Sequence, residues 1–270
     1  RIIAMAGHEV QSFDEVYIND EIATIDGNNN VTSPSQYNGK IKIYFKLGAP
    51  DQDAELALVN ESSKWTTSHR LRGIAYMYVR LVFDADAFPN GIPTFTAGIK
   101  GKKVYDCRDY STAWSDNPAL CLRDYLTSKY GLNETGGSID DALVISAANV
   151  CDQTNTIANT TRYTCNGTFT TALTPYDMLG ELLKSMGGSL WYAQGKWRMK
   201  PAYWTNPVMD LNNDDLRSAI SVSTRHSRRD NFNVIKGTFR GLESNWQTTD
   251  YPQVTNSAFL VADNNSESVA

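Results

Sequence analysis

The sequence is poor in the residues that metal and thiol chemistry need. Its 270 residues include three histidines and four cysteines. His8, His69 and His226 are far apart, and nothing beside them has metal-ligand spacing. Cys107, Cys121, Cys151 and Cys165 form no C-x-x-C pair, which argues against a zinc ribbon. Positive charge is also short: 25 Lys and Arg face 30 Asp and Glu, a formal net charge of -5. A duplex DNA binder needs a basic excess to displace counterions, so no nucleic-acid partner is expected. No run of about 18 apolar residues exists to cross a membrane. Arg1 to His8 begins like a signal peptide, but its apolar part is too short. Both ends read as cuts through a larger polypeptide.

Signatures of catalysis are missing too. There is no H-E-x-x-H, G-x-S-x-G, Walker loop or dinucleotide fingerprint. Gly187-Gly188-Ser189 is half a nucleophile elbow, but it lies between a helix and a strand, the reverse of the required order. Asp51, Asp53 and Glu55 alternate as in a hard-cation loop, yet lack its Gly and distal Glu. They read instead as acids at the positive end of a helix. Asp140 and Asp141 have the same explanation, and as neighbours they diverge too far for glycoside cleavage. No catalytic residue, cofactor site or metal site is therefore expected. The Asn-x-Ser/Thr triplets at Asn30, Asn60, Asn133, Asn159, Asn166 and Asn264 are what an Asn/Thr-rich chain contains by chance.

What is present is a β-rich pattern interrupted by helices. Residues 1–105 read as strands. Ile41, Ile43, Phe45 and Leu47 share one face of a strand from Lys40 to Leu47. Asp26-Gly27 is a turn signal. Ile74 to Phe83 is apolar on both faces, as a covered central strand would be. Thr94–Ile99 and Lys102–Tyr105 suggest a hairpin about Lys100-Gly101, and Asp51–Glu61 a short helix.

Residues 106–241 mix helices and strands. Asn117-Pro118 opens a helix ending at Tyr130-Gly131. Ser138 with Asp141 suggests a capping box for a helix through Val150. Thr174-Pro175 opens a third, with Met178, Leu179, Leu182, Leu183 and Met186 on one face. A hairpin about Gln194-Gly195 spans residues 189–200, and a strand runs from Phe232 to Phe239. Residues 242–270 read as a polar tail or the start of a following segment. Strands and helices occur in blocks, so the fold class is α+β: β-rich domain or domains with a block of helices.

Trp191, Trp197 and Trp204 are candidate interface anchors, with core packing the alternative for each. Arg225, Arg228 and Arg229 form the one dense basic patch, suited to an anionic partner or to a solvated connection. Cys151 and Cys165 flank a polar Asn/Thr-rich loop and would pair in an oxidising compartment; in a reducing cytosol all four thiols stay free.

Three blocks resemble the host specificity protein J family, the tail-tip proteins of long-tailed phages and prophages. The first is Leu71-Arg72-Gly73-Ile74-Ala75-Tyr76-Met77-Tyr78-Val79-Arg80-Leu81 through Phe88-Pro89-Asn90-Gly91-Ile92-Pro93. The second is Gly101-Lys102-Lys103-Val104-Tyr105-Asp106 with Trp114 to Leu126, and the third is Leu179 to Leu190 with Gly195-Lys196-Trp197-Arg198. The resemblance spans most of residues 70–200. It implies a tail-hub-like fold and a structural, non-enzymatic role: part of the central hub that closes the non-contractile tail tube and joins it to host-recognition parts. It further implies a homotrimer at the virion tail tip, made in the host bacterial cytoplasm. Its partners would be distal tail and tape-measure proteins, and the host surface through the parent protein. Two other readings stand beside it: a tail-associated cell-wall or capsule hydrolase, and a glycan- or receptor-binding adhesin module.

Overall fold

A computed structural model describes residues 1–155, 159–223, 231–241, 244 and 247–269. The chain divides into two compact units, Arg1–Thr205 and Asn206–Ala270. The α+β class holds, with strands and helices segregated along the chain.

The first unit begins with strands β1 (Ile2–Ala6), β2 (Val10–Ile18) and β3 (Glu21–Ile22), then the hairpin β4 (Thr24–Ile25) and β5 (Val31–Ser33). Asp26 builds that hairpin's loop. Its carboxylate accepts from the backbone N–H groups of Asn28 and Asn30 and from the Asn30 side chain. Hydrogen bonds from Asn30 hold the Asp26 carboxyl below the usual carboxylate range. Strand β6 (Ile41–Lys46), helix α1 (Leu56–Glu61) and strand β7 (Ala75–Leu81) follow. The helix is shorter than expected. Asp51 and Asp53 precede it, and the Glu55 carboxylate caps it by accepting from the Ala57 N–H.

Strand β7 lies between β1 and β6, antiparallel to both. Its Met77 and Val79 enter an apolar core with Ile41 and Ile43 of β6, Val16 and Ile18 of β2 and Phe95. On the other face Tyr76 and Tyr78 are also buried. Tyr78 stacks on Tyr44 and donates from its hydroxyl to Glu61 at 2.7 Å. The strand is covered on both sides, as its two apolar faces implied.

The expected hairpin at Lys100-Gly101 is absent. Strand β8 runs unbroken over Phe95–Tyr105, pairing with β2 over most of its length and then with β9 (Thr112–Trp114). Lys100 and Lys102 both have ladder partners on β2, Ser12 and Val10. Lys100 is also held by Asp14 and the Trp114 ring. A glycine with ladder-paired residues on either side is simply an unencumbered strand position.

Three helices form the second core. Helix α2 (Pro118–Thr127) is capped by Asn117, whose Oδ1 accepts from the Ala119 and Leu120 N–H groups. It stops at Ser128, a little before the expected Tyr130. Helix α3 (Asp141–Cys151) is capped by Asp140, not by the expected Ser138 box. Ser138 lies in a 3-10 turn, and its hydroxyl pairs with Thr135 instead. After the short pair β10 (Thr154–Asn155) and β11 (Thr160–Thr161), helix α4 (Pro175–Lys184) is capped by the Thr174 hydroxyl, which accepts from the Asp177 N–H. Strands β12 (Ser189–Ala193) and β13 (Lys196–Lys200) close the unit as a hairpin. Both turn residues, Gln194 and Gly195, have positive φ, as a two-residue hairpin turn requires. Leu120, Leu122 and Leu126 of α2, Val144, Ala147 and Ala148 of α3, Leu182 of α4, and Met186 and Met199 are buried together.

The second unit contains no single strand over Phe232–Phe239. Two short strands form there, β14 (Val234–Ile235) and β15 (Thr238–Arg240). The polar stretch after Gly241 is structured and supplies their partners: β16 (Thr248–Asp250) pairs with β15, and β17 (Val254–Thr255) with β14. Helix α5 (Ser257–Ala262) follows. Strands on both sides of Gly241 therefore belong to one unit. A lone polar strand gains little locally, and only its partner satisfies its backbone groups.

Candidate interaction surface

The three tryptophans chosen from sequence occupy different environments. Trp197, on β13, is half-buried against the second core. Its indole Nε1 donates to Glu134 Oε1 at 3.0 Å, and its ring meets Tyr192 edge-on. Its backbone carbonyl accepts from the Asp140 N–H, which ties the hairpin to the start of α3. Core and fastening account for Trp197. Trp191 is 39% exposed and Trp204 is 76% exposed, and no hydrogen bond engages either indole N–H among the described residues. Tyr192 and Tyr203 are exposed as well, and Arg162 lies over the Tyr203 ring. The sequence reading passed over both tyrosines, although each adjoins a chosen tryptophan.

Cations lie along this hairpin. Arg198 faces Trp191 across the strands, donates to Gln194 and pairs with Asp140 at 3.2 Å. Lys196 and Lys200 share its strand and are exposed. Exposed aromatic rings interleaved with basic side chains form a surface suited to protein contact, where aromatics supply area at little entropic cost. In the second unit, Val208, Met209, Leu211, Ile220 and Val222 are also exposed. Arg225, Arg228 and Arg229 lie outside the described residues.

The cysteines are all unbridged. Cys151, at the end of α3, is buried, and burial pushes its thiol up to about 11. Cys165 donates its backbone N–H to the Asp116 carbonyl at 2.7 Å, and the Cys121 Sγ of α2 lies 3.6 Å from the Ser115 carbonyl oxygen. Among the described residues no group of three or more His, Cys, Asp or Glu has the arrangement of a metal site, and no helix is long and apolar enough to cross a membrane.

The chain is similar to a phage hub protein. It is 26% identical over 251 residues to baseplate hub protein pb3 of Escherichia phage T5, a match covering 78% of this chain and 26% of that protein. The chain thus spans about a quarter of the length of that curated relative. Among solved structures, a chain from the virion of a native gene transfer agent particle superposes with a TM-score of 0.49 at 14% identity, covering 95% of this chain and 58% of that one. No family model matches the sequence.

Proposed function

We propose that this chain is a structural component of a phage or prophage tail tip, part of the hub that closes the tube and connects it to host-recognition parts. The similarity to baseplate hub protein pb3 over 251 residues carries the reading. The three blocks between residues 70 and 200 point more finely to the host specificity protein J family. In this reading residues 1–105 are a β-rich domain and an α+β hub domain begins at 106. The parting of the two apolar cores, one drawn from residues 3–97 and the other from 104–199, supports that boundary. The role is assembly rather than catalysis, and the product sits at the virion tail tip after synthesis in the host cytoplasm.

The exposed aromatics around the β12–β13 hairpin support a protein partner. The proposed assembly is a homotrimer that also contacts distal tail and tape-measure proteins. Antibodies raised against the chain should decorate the tail tip of intact particles by electron microscopy. Light scattering after gel filtration should give three times the chain mass. Labelling of the capsid alone would overturn the tail reading, and a monomer at every concentration would overturn self-assembly by this segment. Clearing of a cell-wall zymogram would favour the hydrolase alternative. Retention on purified host surface by the monomer would favour the adhesin alternative.

A further inference from the structure

We propose that the loop between α1 and β7 is a binding site for a phosphate group, held by Arg70, Arg72 and Ser68. These three residues and Leu71 line an open depression of about 400 Å³. Its lining is mostly polar, which suits a charged ligand rather than an apolar one. Residues 62–74 contain Lys64, His69, Arg70 and Arg72 and no Asp or Glu, in a chain whose formal net charge is -5. Among the described residues Arg72 has no ion-pair partner, and Arg70 has only Asp53, at 4.0 Å and with its carboxylate side chain 84% exposed. Positive charge is therefore left uncompensated at one place, and its field attracts an anion.

Each arginine is fixed at one nitrogen and free at the others. Arg70 Nε donates to the Thr67 carbonyl at 3.3 Å, and Arg72 Nε to the Gln52 carbonyl at 3.4 Å. Among the described residues no terminal guanidinium nitrogen of either arginine makes a hydrogen bond, and neither does the Ser68 hydroxyl. The backbone that carries them is anchored by Gln52, which is buried. Its Oε1 accepts from the Gly48 N–H at 2.9 Å, and its Nε2 donates to the carbonyls of Arg70, Leu71 and Ile74. Leu71 has a φ of 46°, a left-handed conformation that a non-glycine residue keeps only where its surroundings fix it. An anion therefore meets donors whose backbone is already in place, and binding orders little. Two guanidiniums and a hydroxyl reach several oxygens from different directions. That matches a tetrahedral phosphate, whereas a carboxylate occupies a single fork.

The ligand chemistry is a phosphate monoester or inorganic phosphate, carried by a soluble molecule or displayed on a lipid surface. Added salt should weaken its binding, because exposed charges are screened over about 10 Å at 0.1 M ionic strength. The site does not depend on the hub reading and stands or falls apart from it.

The test is arginine modification of the full chain by phenylglyoxal, mapped by mass spectrometry, in inorganic phosphate and in sodium chloride of the same ionic strength. Modification of Arg70 and Arg72 should slow about fivefold at a phosphate concentration about four times the dissociation constant, because only the empty site reacts. The exposed Arg162 and Arg217 should react at an unchanged rate. In Arg72→Lys, which keeps the charge and loses the fork, protection of Arg70 should need a several-fold higher phosphate concentration. Vesicles of phosphatidic acid in phosphatidylcholine separate the two sources. Protection by the vesicles as well as by free phosphate supports a phosphate displayed on a lipid, and protection by free phosphate alone supports a soluble one. No protection of Arg70 and Arg72, equal protection of Arg162 and Arg217, equal protection by chloride, or unchanged protection in Arg72→Lys would each overturn the proposal. The map of the unsubstituted chain decides even if the variant fails to fold.

Discussion

Arg123 and Asp141 join two helices through a pair of bonds: Nε to Oδ1 at 2.8 Å and an Nη to Oδ2 at 3.1 Å. The guanidinium side chain is 9% exposed and also lies over the Tyr105 ring. Asp141 sits in the first turn of α3, where its charge meets the positive helix end. Asp141→Ala leaves a nearly buried cation without its partner and should destabilise the first unit by about 1–3 kcal/mol. Replacing both residues by apolar ones should cost less than the single change. Urea denaturation of the single and double variants measures both.

Two glycines should respond to alanine in opposite directions. A Cβ on Gly131 would sit 1.8 Å from the Tyr125 carbonyl oxygen, a contact that only backbone movement relieves. Gly180 lies within α4, and nothing outside its own helix stands within 4 Å of an added Cβ. Gly131→Ala should lower the thermal midpoint sharply. Gly180→Ala should raise stability by about 0.5–1 kcal/mol, because alanine loses less backbone entropy in a helix. Thermal unfolding by circular dichroism distinguishes the two.

The two kinds of tryptophan should separate stability from assembly. Trp197→Ala removes a half-buried ring and the bond to Glu134, and should cost about 3 kcal/mol. Trp191→Ala and Trp204→Ala should change monomer stability by no more than about 0.5 kcal/mol. If these exposed rings carry the proposed trimer contact, the same two variants should weaken the trimer measured by light scattering.

Acid should loosen the turn between β8 and β9 and its tie to the end of α3. The Arg108 guanidinium beside Asp106 holds its carboxyl below the ordinary value of 3.8. Arg108 also reaches Asp152 just beyond α3 at 2.6 Å. A carboxyl whose folded pKa is depressed stabilises the fold fully above its unfolded pKa, and that contribution is lost as pH falls through the folded value. The denaturant midpoint should therefore drop below pH about 4. Asp106→Asn should lower the midpoint at neutral pH and flatten its fall in acid.

Where local chemistry sufficed, the sequence was readable. Asn117-Pro118 and Thr174-Pro175 supplied both a cap and a pre-set first helical residue, and both helices start where those pairs place them. Gln194-Gly195 provided the positive φ of the β12–β13 turn. The two apolar faces of β7 announced a covered strand. Errors arose where a distant partner outvoted local signals. Gly101 looked like a turn, but β2 and then β9 supplied partner strands on either side of it. Ser138 matched a capping pattern, yet Asp140 was nearer the true helix start and took the role. Phe232 to Phe239 read as one strand, but its halves pair with different segments.

The candidate surface was only partly legible for the same reason. Aromatic enrichment singles out Trp191, Trp197 and Trp204 equally. Only packing against Glu134 and the second core distinguishes Trp197, a structural side chain, from the two exposed rings. Cys151 and Cys165 flank one loop, which left pairing open to an oxidising compartment and free thiols to a reducing one; in the structure both are free.

The sequence by itself determined the helix starts, the tight turns, the α+β class and the resemblance to tail proteins, because each rests on residues near one another in the chain. Tertiary structure alone decided which strands pair across long separations and which tryptophans are exposed. Those outcomes depend on contacts between residues far apart in sequence. The backbone N–H of Cys165 reaches the carbonyl of Asp116, far back along the chain, only when α2, α3 and α4 pack around one core.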